Sequence, residues 1–102
     1  MLRLMIVDDE QIIREALSSM IDYTSLGYEV IATAKNGMEA YDRIRDDYPD
    51  VVITDIKMPI LNGLELIERA SRIDSRITFI LLSGYGEFEY AKQALSLIHI
   101  SE

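Results

Sequence analysis

The sequence has no cysteine and only one histidine, His99, in 102 residues. Without cysteine, a disulfide scaffold, a thiolate metal site and a cysteine nucleophile are all excluded. No apolar run approaches the ~20 residues that a membrane span needs, so we expect no membrane partner. A chain without cysteine suits a reducing compartment, and a cytoplasmic location is therefore expected.

Basic residues are also scarce. Lys and Arg number 10 against 18 Asp and Glu, which gives a net charge of −8. Contacts to the phosphates of nucleic acid need clustered Lys and Arg, and here the ten bases are scattered along the chain. We therefore expect no direct DNA or RNA binding by this chain. An acidic domain of this kind suits a cation or a partner with a basic face.

Short apolar runs alternate with helical patterns along the chain. The runs that read as strands are Leu2–Val7, Tyr28–Ala34, Val51–Thr54 and Ile77–Leu82. Apolar residues at helical spacing follow each of them, beginning near residues 10, 40, 63 and 88. The order is βαβαβαβα, and the strands are apolar on both faces. This pattern predicts one α/β domain whose parallel sheet is covered by helices on both sides.

Polar and acidic side chains stand where three of these strands end. Asp8 and Asp9 follow the first strand, Asp55 ends the third, and Ser83 follows the fourth. In a parallel α/β sheet the strand ends that carry the ligand site share one edge. If the first and third strands are neighbours, three carboxylates converge there.

Three converging carboxylates need something to offset their charge. Two carboxylates about 5 Å apart repel by roughly 3 kcal/mol at an effective dielectric near 20. Three such pairs approach the whole stability of a domain, about 5–15 kcal/mol. Oxygen ligands without sulfur or imidazole suit Mg²⁺ or Mn²⁺. A simpler alternative is that Asp8 and Asp9 only cap the first helix, which is worth roughly 0.5–2 kcal/mol.

Three segments carry a family resemblance: IVDDE, VVITDIKMPILNG and ILLSGYGEFEYAKQA. Together they resemble the receiver domain of bacterial two-component response regulators, over Leu2 to Ala94. The segments IDYTSLGYEV and SGYGEFEYA resemble the subtype whose receivers precede an AraC-type DNA-binding module. The resemblance implies a flavodoxin-like, doubly wound parallel sheet with strand order 2-1-3-4.

The resemblance also implies the site residues. Asp55 is the phosphoacceptor, which takes a phosphoryl group from a sensor histidine kinase. Asp9, Asp55 and the backbone carbonyl of Lys57 bind Mg²⁺, with Asp8 acting through a bound water. Ser83 is the switch hydroxyl that moves toward the phosphoryl group. Such a domain catalyses its own phosphorylation as a signalling switch and is not a metabolic enzyme.

The chain departs from the family after Ala94. The family's fifth strand and fifth helix are missing, so we interpret residues 1–94 as a truncated receiver domain. Residues 95–102, LSLIHISE, are interpreted as a non-native tail. We expect such a chain to fold poorly or to associate, because an apolar edge strand is left open. The DNA-binding output module, and any homodimer, belong to the intact protein.

Two other functions remain open from the sequence. The first is a receiver-like interaction module that works without phosphorylation. The presence of all the acidic residues of the site argues against this function. The second is a flavodoxin-like flavin-binding protein. That protein needs a phosphate loop rich in Ser, Thr and Gly after the first strand, where this chain has the acidic DDEQII.

Overall fold

The computed structural model describes residues 1–82, which form four strands and three α-helices. In chain order these are β1 (Leu2–Val7), α1 (Gln11–Ser19), β2 (Tyr28–Ala34), α2 (Gly37–Asp47), β3 (Val51–Asp55), α3 (Gly63–Ile73) and β4 (Thr78–Leu82). A short 3-10 helix at Thr24–Leu26 precedes β2. The predicted fourth helix, the boundary at residue 94 and the tail lie outside these residues. No helix within residues 1–82 has both the length and the apolar character to span a membrane.

The four strands form one parallel sheet in the order β2-β1-β3-β4. This confirms the predicted flavodoxin-like architecture and strand order. Val7, the last residue of β1, lies opposite Ala34 of β2 on one side and Thr54 of β3 on the other. Asp8 and Asp55, which follow Val7 and Thr54, therefore lie side by side at this edge of the sheet.

Alternate strand residues pack into two separate apolar layers, because successive side chains of a strand point to opposite faces. Met5 and Val52 pack on one face with buried residues of α2 and α3. Leu4 and Ile6 pack on the other face, where Leu17 of α1 contacts them. The predicted covering of both faces is thus confirmed. Within residues 1–82, two helices cover one face and one helix covers the other.

Helix α1 ends earlier than its apolar spacing predicts. Five apolar residues have the spacing of one helix face and predict a helix through residue 21: Ile13, Ala16, Leu17, Met20 and Ile21. In the structure Met20 is already the C-cap residue and is 81% exposed. No residue of α1 is buried, and Leu17 is only partly covered. The physical reason is that α1 lies on its side of the sheet without a neighbouring helix from residues 1–82. Its flanks therefore stay open to solvent.

Candidate functional site

The pairing of β1 with β3 brings two predicted site residues to one edge of the sheet. Val7 and Thr54 are partners in the ladder, and Asp8 and Asp55 are the next residues along each chain segment. The Asp8 amide donates to the Ala34 carbonyl at 3.1 Å, so the backbone continues alongside β2 for one residue beyond β1. Both side chains therefore leave the same end of neighbouring strands.

The carboxylates of Asp8, Asp9 and Asp55 meet at this edge, and we call these three residues the acidic cluster. Each residue has one carboxylate oxygen that belongs to a set of three, and these three oxygens all lie within 4.8 Å of one another. Asp8 is 2% exposed, Asp55 is half-buried and Asp9 is exposed. The three side chains thus lie together, as the strand-end argument expects. Burial decreases from Asp8 at the bottom of the cluster to Asp9 at its rim.

Asp8 is held by local contacts at the bottom of the acidic cluster. Its Oδ1 accepts a hydrogen bond from the Glu10 amide at 2.9 Å, and the Arg14 guanidinium donates to its backbone carbonyl at 2.8 Å. Burial raises the pKa of the Asp8 carboxyl above its ordinary value, and the negative charge of Asp9 raises it further. The Glu10 amide and the positive charge of Arg14 act in the opposite direction. The ionised form of Asp8 is therefore costly in this position.

Helix capping does not account for Asp8 and Asp9. Glu10 is the N-cap residue of α1, and its side chain makes no capping hydrogen bond. A capping side chain accepts from the second or third amide of the helix. Asp8 instead accepts from the amide of Glu10 itself, one position before the helix begins. The acidic pair is better explained by its position in the cluster.

The loop from β3 to α3 follows Asp55, and hydrogen bonds hold it at both ends. Thr54 is buried, and its hydroxyl donates to the Asp55 carbonyl at 2.9 Å and lies 4.0 Å from the Met58 sulfur. At the far end of the loop, the Gly63 amide donates to the Ile56 carbonyl at 2.8 Å. The loop is therefore closed on itself next to the phosphoacceptor candidate.

For the other two predicted site residues, Lys57 and Ser83, the assigned roles stay predictions. Lys57 lies in this loop with its side chain exposed, between the buried residues Ile56 and Met58. The assignment of its carbonyl to the metal stays a prediction. Ser83 lies outside the described residues, so its approach to Asp55 also stays a prediction.

Two glycines pack tightly against this loop. The family resemblance implies that Gly63 shapes it, whereas no sequence pattern predicts a role for Gly37. A Cβ built on Gly63 would lie 2.3 Å from the Asp55 carbonyl oxygen, and one on Gly37 would lie 2.1 Å from the Leu61 carbonyl oxygen. Both glycines belong to Asn-Gly pairs, which predict turns. Each pair also starts a helix, as the helical spacing from Gly63 predicts for α3 but not for α2. The signal that identifies such a start is the Asn-x-x-Glu spacing, which both segments contain.

The acidic cluster has the ligand chemistry of a hard cation. Its donors are carboxylate oxygens, and the histidine of this sequence lies outside residues 1–82. Mg²⁺ and Mn²⁺ prefer oxygen ligands of this kind. A divalent cation would also offset both the mutual repulsion of the carboxylates and the cost of ionising Asp8 in a buried position. The residues present therefore fit such an ion.

Comparison with protein families gives a match over nearly the whole chain. The family model described as the response regulator receiver domain matches residues 4–98. Among curated proteins, the uncharacterized transcriptional regulatory protein YesN of Bacillus subtilis (strain 168) is 47% identical over 95 residues. The aligned region covers 93% of this chain and 26% of YesN. The chain therefore spans about a quarter of the length of that relative.

Two solved structures share the fold and the subtype. The receiver domain of AraT, a response regulator from Geobacillus stearothermophilus, is 36% identical with a TM-score of 0.89, covering 98% of this chain and 77% of that one. The two component transcriptional regulator AraC from Clostridium phytofermentans ISDg is 33% identical with a TM-score of 0.90, covering 98% and 78%. These relatives confirm the predicted likeness to receivers of AraC-type regulators.

Proposed function

The chain belongs to the family of response regulator receiver domains, and on that basis we propose that Asp55 accepts a phosphoryl group from the phosphohistidine of a sensor kinase. In the intact protein this modification changes the state of an output module that regulates transcription. YesN, the relative of which this chain matches one quarter, is described as a transcriptional regulatory protein. Contacts to DNA belong to that output module, because this domain is acidic.

The observation that carries the proposal is the meeting of three carboxylates at the end of β1 and β3. Asp8, Asp9 and Asp55 come from two separate strands, and their oxygens lie within 4.8 Å of one another. A fold gains no stability from bringing like charges together. Mutual repulsion among three carboxylates is expected at a site that binds a cation and performs chemistry.

Mg²⁺ is the ion that we assign to this site, with Mn²⁺ as a substitute. The ligands would be carboxylate oxygens of Asp9 and Asp55 and the carbonyl of Lys57, with Asp8 acting through water. When bound, the ion neutralises charge that develops on the phosphoryl oxygens.

Asp55 supplies the nucleophile. One carboxylate oxygen forms a bond to phosphorus while the bond between phosphorus and the donor imidazole nitrogen breaks. The electron pair of the broken bond stays on the imidazole, which takes up a proton, and Asp55 becomes a mixed anhydride of aspartate and phosphate. Asp55 is half-buried at the edge of the sheet where β1 and β3 end. The hydrogen bond from the Glu10 amide keeps Asp8 oriented beside it.

The remaining roles follow from the same proposal. Ser83 is the hydroxyl that hydrogen-bonds a phosphoryl oxygen after transfer and so reports the modification. The domain is a signalling switch in the cytoplasm and has no metabolic substrate. The intact protein, rather than this acidic domain alone, contacts DNA and forms any homodimer.

Neither alternative function gains support from these observations. A flavin-binding protein needs phosphate-binding amides after β1, whereas Asp8 and Asp9 place negative charge there. An interaction module that needs no phosphorylation gives no reason to keep three mutually repelling carboxylates. The family match and the geometry of the acidic cluster therefore favour the phosphoacceptor.

The proposal is tested by incubating the 102-residue chain with phosphoramidate and Mg²⁺ and measuring its intact mass. We expect the wild-type chain to gain the mass of one phosphoryl group and Asp55→Asn to gain none. Asp46→Asn is the matched control, because Asp46 is an exposed aspartate on α2. Circular dichroism verifies that both variants fold. Equal phosphoryl uptake by Asp55→Asn and wild type would place the acceptor elsewhere.

A further inference from the structure

Gly37 is a buried glycine at the first position of α2, and helix formation does not explain it. The preceding residue, Asn36, caps the helix by accepting a hydrogen bond from the Glu39 amide at 2.8 Å. Glycine is a poor helix former, and alanine would favour the same helix more strongly. Gly37 does not have a positive φ that would require glycine. The requirement for a small residue must therefore come from what lies against it.

Leu61 lies against Gly37, and the contact is between backbones. A Cβ on Gly37 would lie 2.1 Å from the Leu61 carbonyl oxygen and 2.8 Å from its carbonyl carbon. Contacts of this length are not tolerated, and a backbone carbonyl cannot rotate away as a flexible side chain can. The start of α2 therefore packs directly against the loop between Asp55 and α3.

This loop contains a strained turn that needs outside support. The Leu61 amide donates to the Pro59 carbonyl at 2.8 Å, and Ile60 between them has a φ of 72°. A three-residue turn with positive φ at its centre is the rarer and strained form of the γ-turn. It is least favourable for a β-branched residue. The Ile60 side chain is 77% exposed, whereas Leu61 is 2% exposed, so the packing of Leu61 is what holds the turn.

The same loop carries the carbonyl that we assign to the metal. Lys57 lies between two buried residues, Ile56 and Met58. The Gly63 amide closes the loop on the Ile56 carbonyl at 2.8 Å. Because the loop is short and fastened at its ends, a shift at Leu61 must be passed to the backbone near Lys57.

We propose that Gly37 is a positioning residue for the metal site, through close packing of α2 against the Leu61 carbonyl. This inference rests on the proposed function, since it assumes that the acidic cluster and the Lys57 carbonyl share one Mg²⁺. The contact fixes the loop backbone so that the carbonyl and the carboxylates are held in place before the ion arrives. The atoms nearest to a Cβ on Gly37 all belong to Leu61, so Gly37 acts through Leu61 and the loop.

The test is the Mg²⁺ affinity of Gly37→Ala, measured by isothermal titration calorimetry on the 102-residue chain. Groups that support metal ligands typically contribute 10- to 100-fold to affinity, so we expect the dissociation constant to rise about tenfold. Gly27→Ala is the matched control. Gly27 has a φ of 88° and nothing within 4 Å of an added Cβ, so this change strains the backbone away from the loop. We expect it to lower the melting temperature and to leave Mg²⁺ affinity unchanged.

A second measurement uses the wild-type chain and avoids any failure to fold. If the contact strengthens Mg²⁺ binding, then Mg²⁺ must strengthen the contact by the same factor. Saturating Mg²⁺ should therefore slow hydrogen exchange of the Leu61 amide, which bonds Pro59, and of the Ala40 amide, which bonds Asn36. The Asp74 amide at the far end of α3 should not change.

The outcomes separate this inference from the proposed function. The positioning role is wrong if wild type and Gly37→Ala bind Mg²⁺ with equal affinity. It is also wrong if Mg²⁺ binds but leaves hydrogen exchange of the Leu61 amide unchanged. In both cases the metal site stands. Equal loss of affinity in Gly27→Ala also overturns it, because general destabilisation then explains the effect. If the wild-type chain binds no Mg²⁺, both the metal site and the inference fail.

Discussion

At the scale of single residues, the buried carboxyl of Asp8 is costly to ionise. It is 2% exposed, and burial together with the charge of Asp9 raises the pKa of its carboxyl above the ordinary value of 3.8. The folded chain therefore holds this proton more tightly than the unfolded chain does. The stability linked to the proton is fully present below pH 3.8 and is lost as the pH rises through the raised pKa.

Replacing Asp8 by asparagine should therefore stabilise the chain in the absence of divalent ions. Asparagine keeps an oxygen that accepts from the Glu10 amide and removes one charge from a cluster whose carboxylate oxygens lie within 4.8 Å of one another. At neutral pH we expect Asp8→Asn to raise the free energy of unfolding by about 1–3 kcal/mol. For a domain of this size, each kcal/mol of added stability raises the melting temperature by roughly 4–8 °C. Thermal melts between pH 3 and pH 8 measure the effect.

Low pH should abolish the stability gain of Asp8→Asn, and Mg²⁺ should reverse it. Below pH 3.8 the gain should disappear, because Asp8 is then protonated in both states. With saturating Mg²⁺ the wild-type chain should melt at a higher temperature than Asp8→Asn, since binding stabilises the form that binds. Asp46→Asn, an exposed control, should stay within about 0.5 kcal/mol of wild type throughout. A destabilised Asp8→Asn in metal-free buffer at neutral pH would contradict the account.

The sequence predicted the members of the acidic cluster but not how they differ. Asp8, Asp9 and Asp55 follow from the position of acids after apolar strands. Their unequal burial depends on how the chain turns away after β1, which no local pattern encodes. The role of Gly37 was also out of reach, because it depends on a contact with Leu61, which is 24 residues away in the chain.

At the scale of elements, the strands were easier to predict than the helix starts. β1 and β2 have the predicted bounds. The last four residues of β1 are buried, as expected for a central parallel strand with an apolar run. The Asn36-Gly37 pair predicts a turn, with helical spacing only from residue 40, whereas the helical spacing of the third helix already begins at Gly63. In the structure each asparagine is an N-cap and each glycine is the first helical residue. The Asn-x-x-Glu spacing in both segments is the local signal that distinguishes a helix start from a plain turn.

The start of α3 gives a direct test at this scale. Asn62 accepts from the Glu65 amide at 2.9 Å, and the Glu65 carboxylate accepts from the Asn62 amide at 3.1 Å, which forms a capping box. Asn62→Ala removes the acceptor of the first bond and should lower the free energy of unfolding by about 1 kcal/mol. Denaturant titration measures the loss.

Asn62→Ser is the control for the capping bond, since serine keeps a side-chain oxygen that can accept from the Glu65 amide. We expect Asn62→Ser to lie within about 0.5 kcal/mol of wild type. If alanine and serine destabilise the chain equally, the capping bond is not the source of the effect.

At the scale of the whole molecule, β4 is one of the two edge strands of the sheet formed by residues 1–82. Within residues 1–82, β4 pairs with β3 on one side, and no strand pairs with its other side. Ile80 lies in the middle of β4 and is 45% exposed. An open, apolar edge strand is a template for pairing with a second chain. We therefore expect the 102-residue chain to associate in solution, as its sequence suggests.

Sedimentation velocity at several concentrations tests this expectation. Ile80→Thr keeps a β-branched residue that suits a strand and removes apolar surface, and it should weaken association by roughly tenfold. Ile12→Thr is the matched control, because Ile12 is 81% exposed on α1 rather than on the sheet edge. A wild-type chain that is monomeric at all concentrations, or equal effects of both variants, would contradict the prediction.

The most direct measurement of the central claim is the position of a bound divalent ion in the 102-residue chain. Mn²⁺ added below one equivalent broadens nearby amide signals in a nitrogen–proton NMR spectrum. We predict that the signals of Asp8, Asp9 and Asp55 broaden first and recover with excess Mg²⁺, while Asp50 and Asp74 at the opposite end of the sheet stay sharp. Broadening that spares the acidic cluster, or that spreads evenly over all exposed carboxylates, would contradict a shared metal site.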